Sequence, residues 1–211
     1  MRTDGTGGAP DAEVVTSVFP DAAALATRYA EILRTAGVER GLIGPRETDR
    51  LWERHLLNSA AVSDLVPAGA FVVDVGSGAG LPGVPLALRR PDLRITLLEP
   101  LLRRATFLQE VVDELGLDER VRVVRARAED HTSTYDAVVT RALAPLPRLL
   151  GWCVPLTTPD GVVLALKGRS ALDEVDAVSS ELARDRLVVE VITVRAHVDA
   201  EPTTVVRVRH S

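Results

Sequence analysis

The stretch Phe71-Val-Val-Asp-Val-Gly-Ser-Gly-Ala-Gly-Leu-Pro-Gly-Val-Pro85 constrains the fold of this chain more than any other. Phe71 to Val75 is a nearly continuous apolar run rich in β-branched residues, the pattern of a strand covered on both faces in a parallel sheet. Gly76, Gly78 and Gly80 follow at alternate positions. Without a Cβ they let the backbone turn sharply and bring its N–H groups close to a ligand, and Pro82, whose φ is already helical, suits the first turn of a helix. A buried strand that turns in this way into a helix implies an α/β sheet with a nucleotide-like ligand at the turn.

The spacing of the glycines narrows the choice of nucleotide. A dinucleotide fingerprint runs G-x-G-x-x-G from the strand end, with an acid for the ribose about 20 residues on. Counted from Gly76, the third glycine falls at Gly80, one place too early; the match at Gly78-x-Gly80-x-x-Gly83 starts three residues past the strand and encloses Pro82. The register Asp74-x-Gly76-x-Gly78-x-Gly80 instead resembles the S-adenosylmethionine loop of Rossmann-like methyltransferases. A second apolar strand, Ile95 to Leu98, ends in Glu99, whose carboxylate suits both ribose hydroxyls of an adenosyl group. A plain tight βα turn would need only one glycine.

At 211 residues the chain fits one large α/β domain with a modest extension, able to bury its core without staples. Cys153 is the only cysteine, which excludes an internal disulfide and agrees with a reducing cytoplasm. No apolar segment reaches about 18 residues and no secretion signal opens the chain, so a soluble cytoplasmic protein is expected. The net charge of −5 argues against a general basic surface for nucleic acid, though not against a local patch. Of 25 Lys and Arg residues only Lys167 is a lysine.

Taken in order, the chain predicts a flexible N-terminus over residues 1–18, its first ten residues rich in Gly, Thr and Asp, and then a single domain over 19–211. Residues 19–66 form a helical cap, with apolar positions at helical spacing from Phe19 to Ala36 and a second helix from Arg46 to Leu65. Residues 67–211 form the Rossmann-like core. Strands are expected at 71–75, 95–98, 121–125, 136–140 and 162–166, alternating with helices at 84–89, 102–115, 146–156 and 171–184, which predicts a doubly wound, mostly parallel sheet. Leu187 to Arg195 and Thr203 to Arg209 are separated by seven residues, too few for a crossover helix, and predict an antiparallel hairpin.

Ligands of open α/β sheets bind beyond the carboxyl ends of the strands. That selects Gly76, Ser77, Gly78, Gly80 and Leu81, then Glu99, Ala128 and Glu129, Arg141, and Lys167. Glu129 lies where an adenine amine needs an acceptor, or is an ordinary solvated carboxylate.

With these positions in view, the sequence resembles the bacterial ribosomal RNA small-subunit methyltransferase G family (RsmG, also called GidB), which methylates N7 of a guanine in the 530 loop of 16S rRNA. The resemblance runs from about Phe19 to Val206. It rests on Arg54-His-Leu-Leu-Asn-Ser59, Asp74 to Gly83, Leu97-Leu-Glu99, Thr140-Arg-Ala-Leu143 and Leu166-Lys-Gly168. It implies S-adenosyl-L-methionine as cofactor, with Gly76, Leu81, Ala128, Glu129 and Arg141 in the family's binding places, and Asp74 within the loop motif. Asn58 stands where many members have Asp, and Arg103 where many have Lys.

The chemistry is compatible. Guanine N7 carries an in-plane lone pair, so transfer from a sulfonium needs alignment and no general base. After the fourth strand the chain has Thr140-Arg-Ala-Leu143 in place of the (Asn/Asp)-Pro-Pro-(Tyr/Phe) of amino-group methyltransferases, and Cys153 lacks a second cysteine beside it and suits a buried apolar place. Arg141, Lys167, Arg103, Arg54 and His55 form a candidate positive rim, with Arg141, Lys167 and His55 the catalytic candidates and Arg54, His55, Arg103 and Lys167 the RNA-binding ones. Arginine suits phosphate and guanine O6 by its donor fork. Against this, one of Arg103 and Arg104 suits an ordinary solvated helix face, and His55 equally suits a histidine tying the cap to the sheet. The expected partner is 16S rRNA within a small-subunit particle or precursor, with the protein a monomer needing no metal and no membrane. A methyltransferase acting on a small molecule, or an inactive cofactor-binding protein that docks a partner through its N-terminal helices, are the alternatives.

Overall fold

The structure, a computed structural model, describes residues 10–141 and 143–211. A flexible end was expected through residue 18, but α1 (Ala12–Val18) is a helix whose Val14, Val15 and Val18 are buried; the remainder of that end, residues 1–9, lies outside the described residues. Three valines at helical spacing give α1 an apolar face that joins the core, and this outweighs the polar residues around it.

The expected first cap helix is α2 (Ala23–Ile32), which continues through a wider π-helical turn at Leu33–Gly37. The second is not one regular helix. Its path runs through a 3₁₀ segment (Pro45–Arg50), a π-helical segment (Trp52–Leu57), the short α3 (Asn58–Ala60) and a second 3₁₀ segment (Ala61–Leu65). The changes of pitch let Trp52, His55, Leu56, Leu57, Ser59 and Ala60 all turn inward, more than one stripe of a uniform helix carries.

The core alternates as expected: β1 (Phe71–Val75), α4 (Gly83–Arg89), β2 (Arg94–Leu98), α5 (Leu102–Glu114), β3 (Val121–Val124), β4 (Tyr135–Arg141), α6 (Leu146–Cys153) and β5 (Thr157–Lys167). Pro155 has no N–H to give, and α6 tightens into a 3₁₀ turn at Val154–Leu156. The helix expected over 171–184 breaks at the buried Val178 into α7 (Ala171–Ala177) and α8 (Ser179–Arg184). Then β6 (Leu187–Val194) and β7 (Thr203–His210) form the antiparallel hairpin.

The seven strands run in the order β3-β2-β1-β4-β5-β7-β6, parallel from β3 to β5 and antiparallel beyond. The order reverses between β1 and β4, the switch point where such sheets open a crevice. Alternate residues of each strand face opposite layers. Val72, Ile95, Val139 and Leu164 pack with the cap, α4 and α5, whereas Val73, Leu98, Val138 and Val163 pack with α6, α7 and α8. No helix among the described residues is long and apolar enough to cross a membrane.

Because cap and sheet share one apolar cluster, Phe19, fully buried between α1 and α2, should matter to the whole fold. Phe19→Ala is expected to cost about 3–5 kcal/mol of unfolding free energy in a denaturant titration.

Candidate active site

At the end of β1 the chain turns through Gly76, Gly78 and Gly80, with φ of +73°, +57° and +98°. Conformation is only part of the need for glycine. A Cβ on Gly76 would meet Leu143 Cδ1 at 2.5 Å, and one on Gly80 would meet Val84 Cγ2 at 2.7 Å and the Tyr29 hydroxyl at 2.9 Å. Gly78 faces outward, its nearest obstacle being the Gly76 carbonyl oxygen at 3.8 Å. From the cap, the fully buried Tyr29 donates its hydroxyl proton to the Ala79 carbonyl at 2.7 Å, and burial pushes its ionisation well above the ordinary range. Inside the turn Ser77 Oγ donates to the Asp74 carbonyl at 2.8 Å, and Leu81 lies close beneath, nearly buried.

Two buried carboxyls bracket this loop. Asp74 Oδ2 accepts the Gly83 N–H at 2.9 Å, at the start of α4, while Oδ1 has no partner among the described residues. Burial pushes the Asp74 carboxyl up to about 7. Glu99, 1% exposed, accepts the Gly78 N–H on Oε2 and the Leu101 N–H on Oε1, each at 3.0 Å. A carboxylate has about four lone-pair positions, so two remain for hydroxyls. Beside Glu99 a cavity of about 180 Å³ opens at the switch point, with Gly76, Leu98, Pro100, Ala128, Glu129, Leu143 and Trp152 among its walls. The Arg148 guanidinium lies 4.9 Å over the Trp152 ring. The loop residues, Glu99, Ala128 and Glu129 are therefore brought together as the sequence predicts.

The expected positive rim is arranged differently. Arg141 turns from β4 toward the cap: Nη1 donates to Ser59 Oγ at 3.2 Å and Nη2 to His55 Nδ1 at 2.6 Å. His55 Nδ1 is thus an acceptor, which leaves its Nε2–H to donate to Glu47 Oε2 at 3.2 Å. His55 is nearly buried, and burial together with the facing Arg141 pulls its pKa down to about 4. Burial also lowers Arg141, to about 10. Lys167 Nζ donates to the Ala144 carbonyl and to Glu174 Oε2, both at 2.7 Å, and the same Glu174 oxygen accepts the Leu146 N–H at 2.8 Å. Lys167 and Glu174 hold the segment carrying Leu143 at the mouth of the loop.

Only Arg54 and Arg103 face solvent as a rim would. Arg54 leans on Glu47 at 3.3 Å, and Arg103 stands exposed on the first turn of α5. Its neighbour Arg104 points back toward Glu99 at 4.0 Å. Asn58 donates from Nδ2 to Thr203 Oγ1 at 2.8 Å, tying the cap to β7 and leaving no charge there. Among the described residues no group of three or more His, Cys, Asp or Glu is placed to hold a metal ion.

Tyr29, Glu47, Ser59, Leu143 and Glu174 are not among the site residues that the sequence selects. Tyr29 carried a signal, since a tyrosine on the apolar face of a helix needs a partner for its hydroxyl. Ser59 depends on a contact with Arg141 82 residues away and Leu143 on packing against Gly76, whereas Glu47 and Glu174 bond His55 and Lys167 from eight and seven residues away, across a change of element that no helical or strand spacing marks.

A parallel sheet with helices on both layers, a glycine turn at its switch point and an acid ending the neighbouring strand together define a Rossmann-like methyltransferase fold. Solved structures agree in fold. The pyocyanin biosynthetic protein PhzM superposes with a TM-score of 0.60 at 19% identity, covering 87% of this chain and 61% of its own. The B. subtilis M1A22 tRNA methyltransferase TrmK gives 0.58 at 14%, covering 73% and 65%. Residues 22–201 match the family model GidB, rRNA small subunit methyltransferase G, and the chain belongs to that family. Ribosomal RNA small subunit methyltransferase G of Nocardioides sp. is 58% identical over 93% of this chain and 80% of its own length; that of Mycolicibacterium paratuberculosis is 52% identical over 97% and 84%.

Two outcomes follow from this geometry. Gly80→Ala, which must displace Val84 or Tyr29, is expected to weaken S-adenosylhomocysteine binding at least tenfold in calorimetry and to lower the melting temperature. His55 is held neutral, so the unfolded chain binds the extra proton between about pH 4 and 6.5. Its contribution is complete above about 6.5 and is lost as pH falls toward 4. Asp74, raised to about 7, has the opposite slope, its contribution fading as pH rises from about 4 to 7. Comparing wild type with His55→Gln removes the Asp74 part. The stability difference is expected to move by about 1–3 kcal/mol against the wild type between pH 7 and 4.

Proposed function

We propose that the protein transfers a methyl group from S-adenosyl-L-methionine to N7 of a guanine in 16S rRNA, in the 530 loop. The observation that carries this reading is the pairing of the glycine turn with Glu99 at the mouth of the switch-point cavity, in a chain of this family. The residues present fit the cofactor. Glu99 keeps two lone-pair positions for ribose hydroxyls, Glu129 offers an acceptor for the adenine amine beside Ala128, and Asp74 Oδ1 is a buried acceptor awaiting a donor. The outward face of Gly78 leaves room for close approach.

The cofactor supplies an electrophilic methyl on sulfur. Held by the glycine turn, Glu99 and Glu129, it would offer that methyl to the in-plane lone pair of guanine N7, which carries no proton to be removed. In this reading the protein needs only to align the reactants and to exclude water. His55 is neutral and already bonded on both nitrogens, and Cys153 is fully buried with its thiol pushed up to about 12. In this reading Arg141 and Lys167 border the acceptor base from beneath. Two of the three Lys167 protons are engaged within the protein, which leaves one for the guanine O6 or a phosphate. His55 acts as a positioning residue through Arg141. Arg54 and Arg103, on the surface, reach phosphates.

Arg141→Ala and Lys167→Ala are expected to lower methyl transfer at least tenfold, Arg141→Ala loosening the cofactor as well. Wild-type rates in both folded variants would exclude the acceptor-side role. The reading itself is tested by mapping N7-methylguanine in 16S rRNA from cells with and without the gene. The form of the substrate follows from charge. A protein making 6–10 phosphate contacts loses about 10³–10⁵ in affinity between 50 and 200 mM salt. With a net charge of −5, a shallower slope is expected, and an isolated 530-loop oligonucleotide should accept methyl poorly compared with a small-subunit particle. Equal rates on the two would overturn recognition by a larger folded target.

A further inference from the structure

Among the described residues the large apolar side chains left exposed are Phe71, Leu101, Leu102, Leu172 and Val198, and of these Leu101, Leu102 and Leu172 follow the carboxyl ends of parallel strands, β2 and β5. Leu101 and Leu102, 53% and 61% exposed, are adjacent and directly follow Pro100, which lines the cofactor cavity. This corner is fixed. The Leu101 N–H donates to one oxygen of Glu99 while the Gly78 N–H donates to the other, so one buried carboxylate sets the leucines in register with the glycine turn.

The surroundings are positive. Arg103 follows on α5, and Arg125 and Arg127 leave the end of the adjacent β3; all three are exposed. Among the described residues none of them forms an ion pair, not even with Glu129 or Asp130 of the same corner. Elsewhere Arg28, Arg34, Arg40 and Arg50 are each matched with a glutamate. Unpaired guanidinium groups beside exposed leucine suit a polyanion with flat apolar faces, which is an RNA loop whose bases are unstacked.

We propose that Leu101 and Leu102 pack against bases flanking the target guanine and hold the loop open at the cleft, with Arg103 and Arg125 on its phosphates. This rests on the rRNA reading above. The test is Leu101→Ser/Leu102→Ser in the full chain, assayed on small-subunit particles. S-adenosylhomocysteine affinity should stay within twofold, kcat/KM should fall at least tenfold, and Leu101→Met/Leu102→Met should restore it. Val198→Ser, which removes exposed apolar surface elsewhere, should change neither. A photo-crosslinking residue at position 102 should join to 16S rRNA. Undiminished methylation by the serine variant overturns the proposal, as does a parallel loss of S-adenosylhomocysteine binding, which would make the leucines part of the cofactor site. Crosslinking to a ribosomal protein overturns it too. If the wild-type protein methylates no guanine in the particle, the rRNA reading falls first; if it does and the serine variant keeps pace, only the leucine contact falls.

Discussion

A carboxyl group buried without charge compensation lies under the site. Asp74 sits at 0% exposure with one oxygen bound to the Gly83 N–H and the other bare. A buried acceptor without a partner costs about 1–3 kcal/mol. The fold tolerates it because the same side chain fixes where β1 ends and α4 begins. A Cβ on Gly83 would lie 2.8 Å from Asp74 Oδ2 and collide with the Leu97 side chain, so strand, loop and helix meet there with no spare volume. Among the described residues that oxygen has no partner, and the cost falls at the turn between strand and helix.

From that point the cap becomes part of the site. Tyr29 reaches from α2 to the loop backbone, and Arg141 reaches from β4 to His55 and Ser59. Three residues of the cap, Tyr29, His55 and Ser59, thus share polar contacts with Ala79 and Arg141, whose strength grows in a low dielectric but whose loss is equally costly. The cap is consequently tied to both the loop and the sheet.

Desolvation sorts the basic residues into two kinds. Arg141 and Lys167, under the surface, are matched by His55, Ser59, the Ala144 carbonyl and Glu174. Arg54 and Arg103 stay in water, where a charge needs no partner. The first kind is spent on contacts within the protein and the second stays at the surface. A net charge of −5 conceals this division, because acids elsewhere are consumed by arginines such as Arg28 and Arg40.

By itself the sequence determined the alternation of strands and helices, the antiparallel hairpin, the glycine turn and the acid at Glu99. These are encoded in periodicity and in residues with local backbone consequences, which neighbours a few positions apart can express. The family too was legible, in Arg54 to Ser59 and in Asp74 to Gly83. Only the tertiary structure decided that α1 belongs to the core, that the second cap helix changes pitch to bury Trp52 and His55 together, and that Arg141 and Lys167 turn inward. The reason is physical. A charged side chain near a strand end reads the same whether it meets solvent or a partner 86 residues away, as Arg141 meets His55. The choice between them is made by burial, which exists only once the layers have packed.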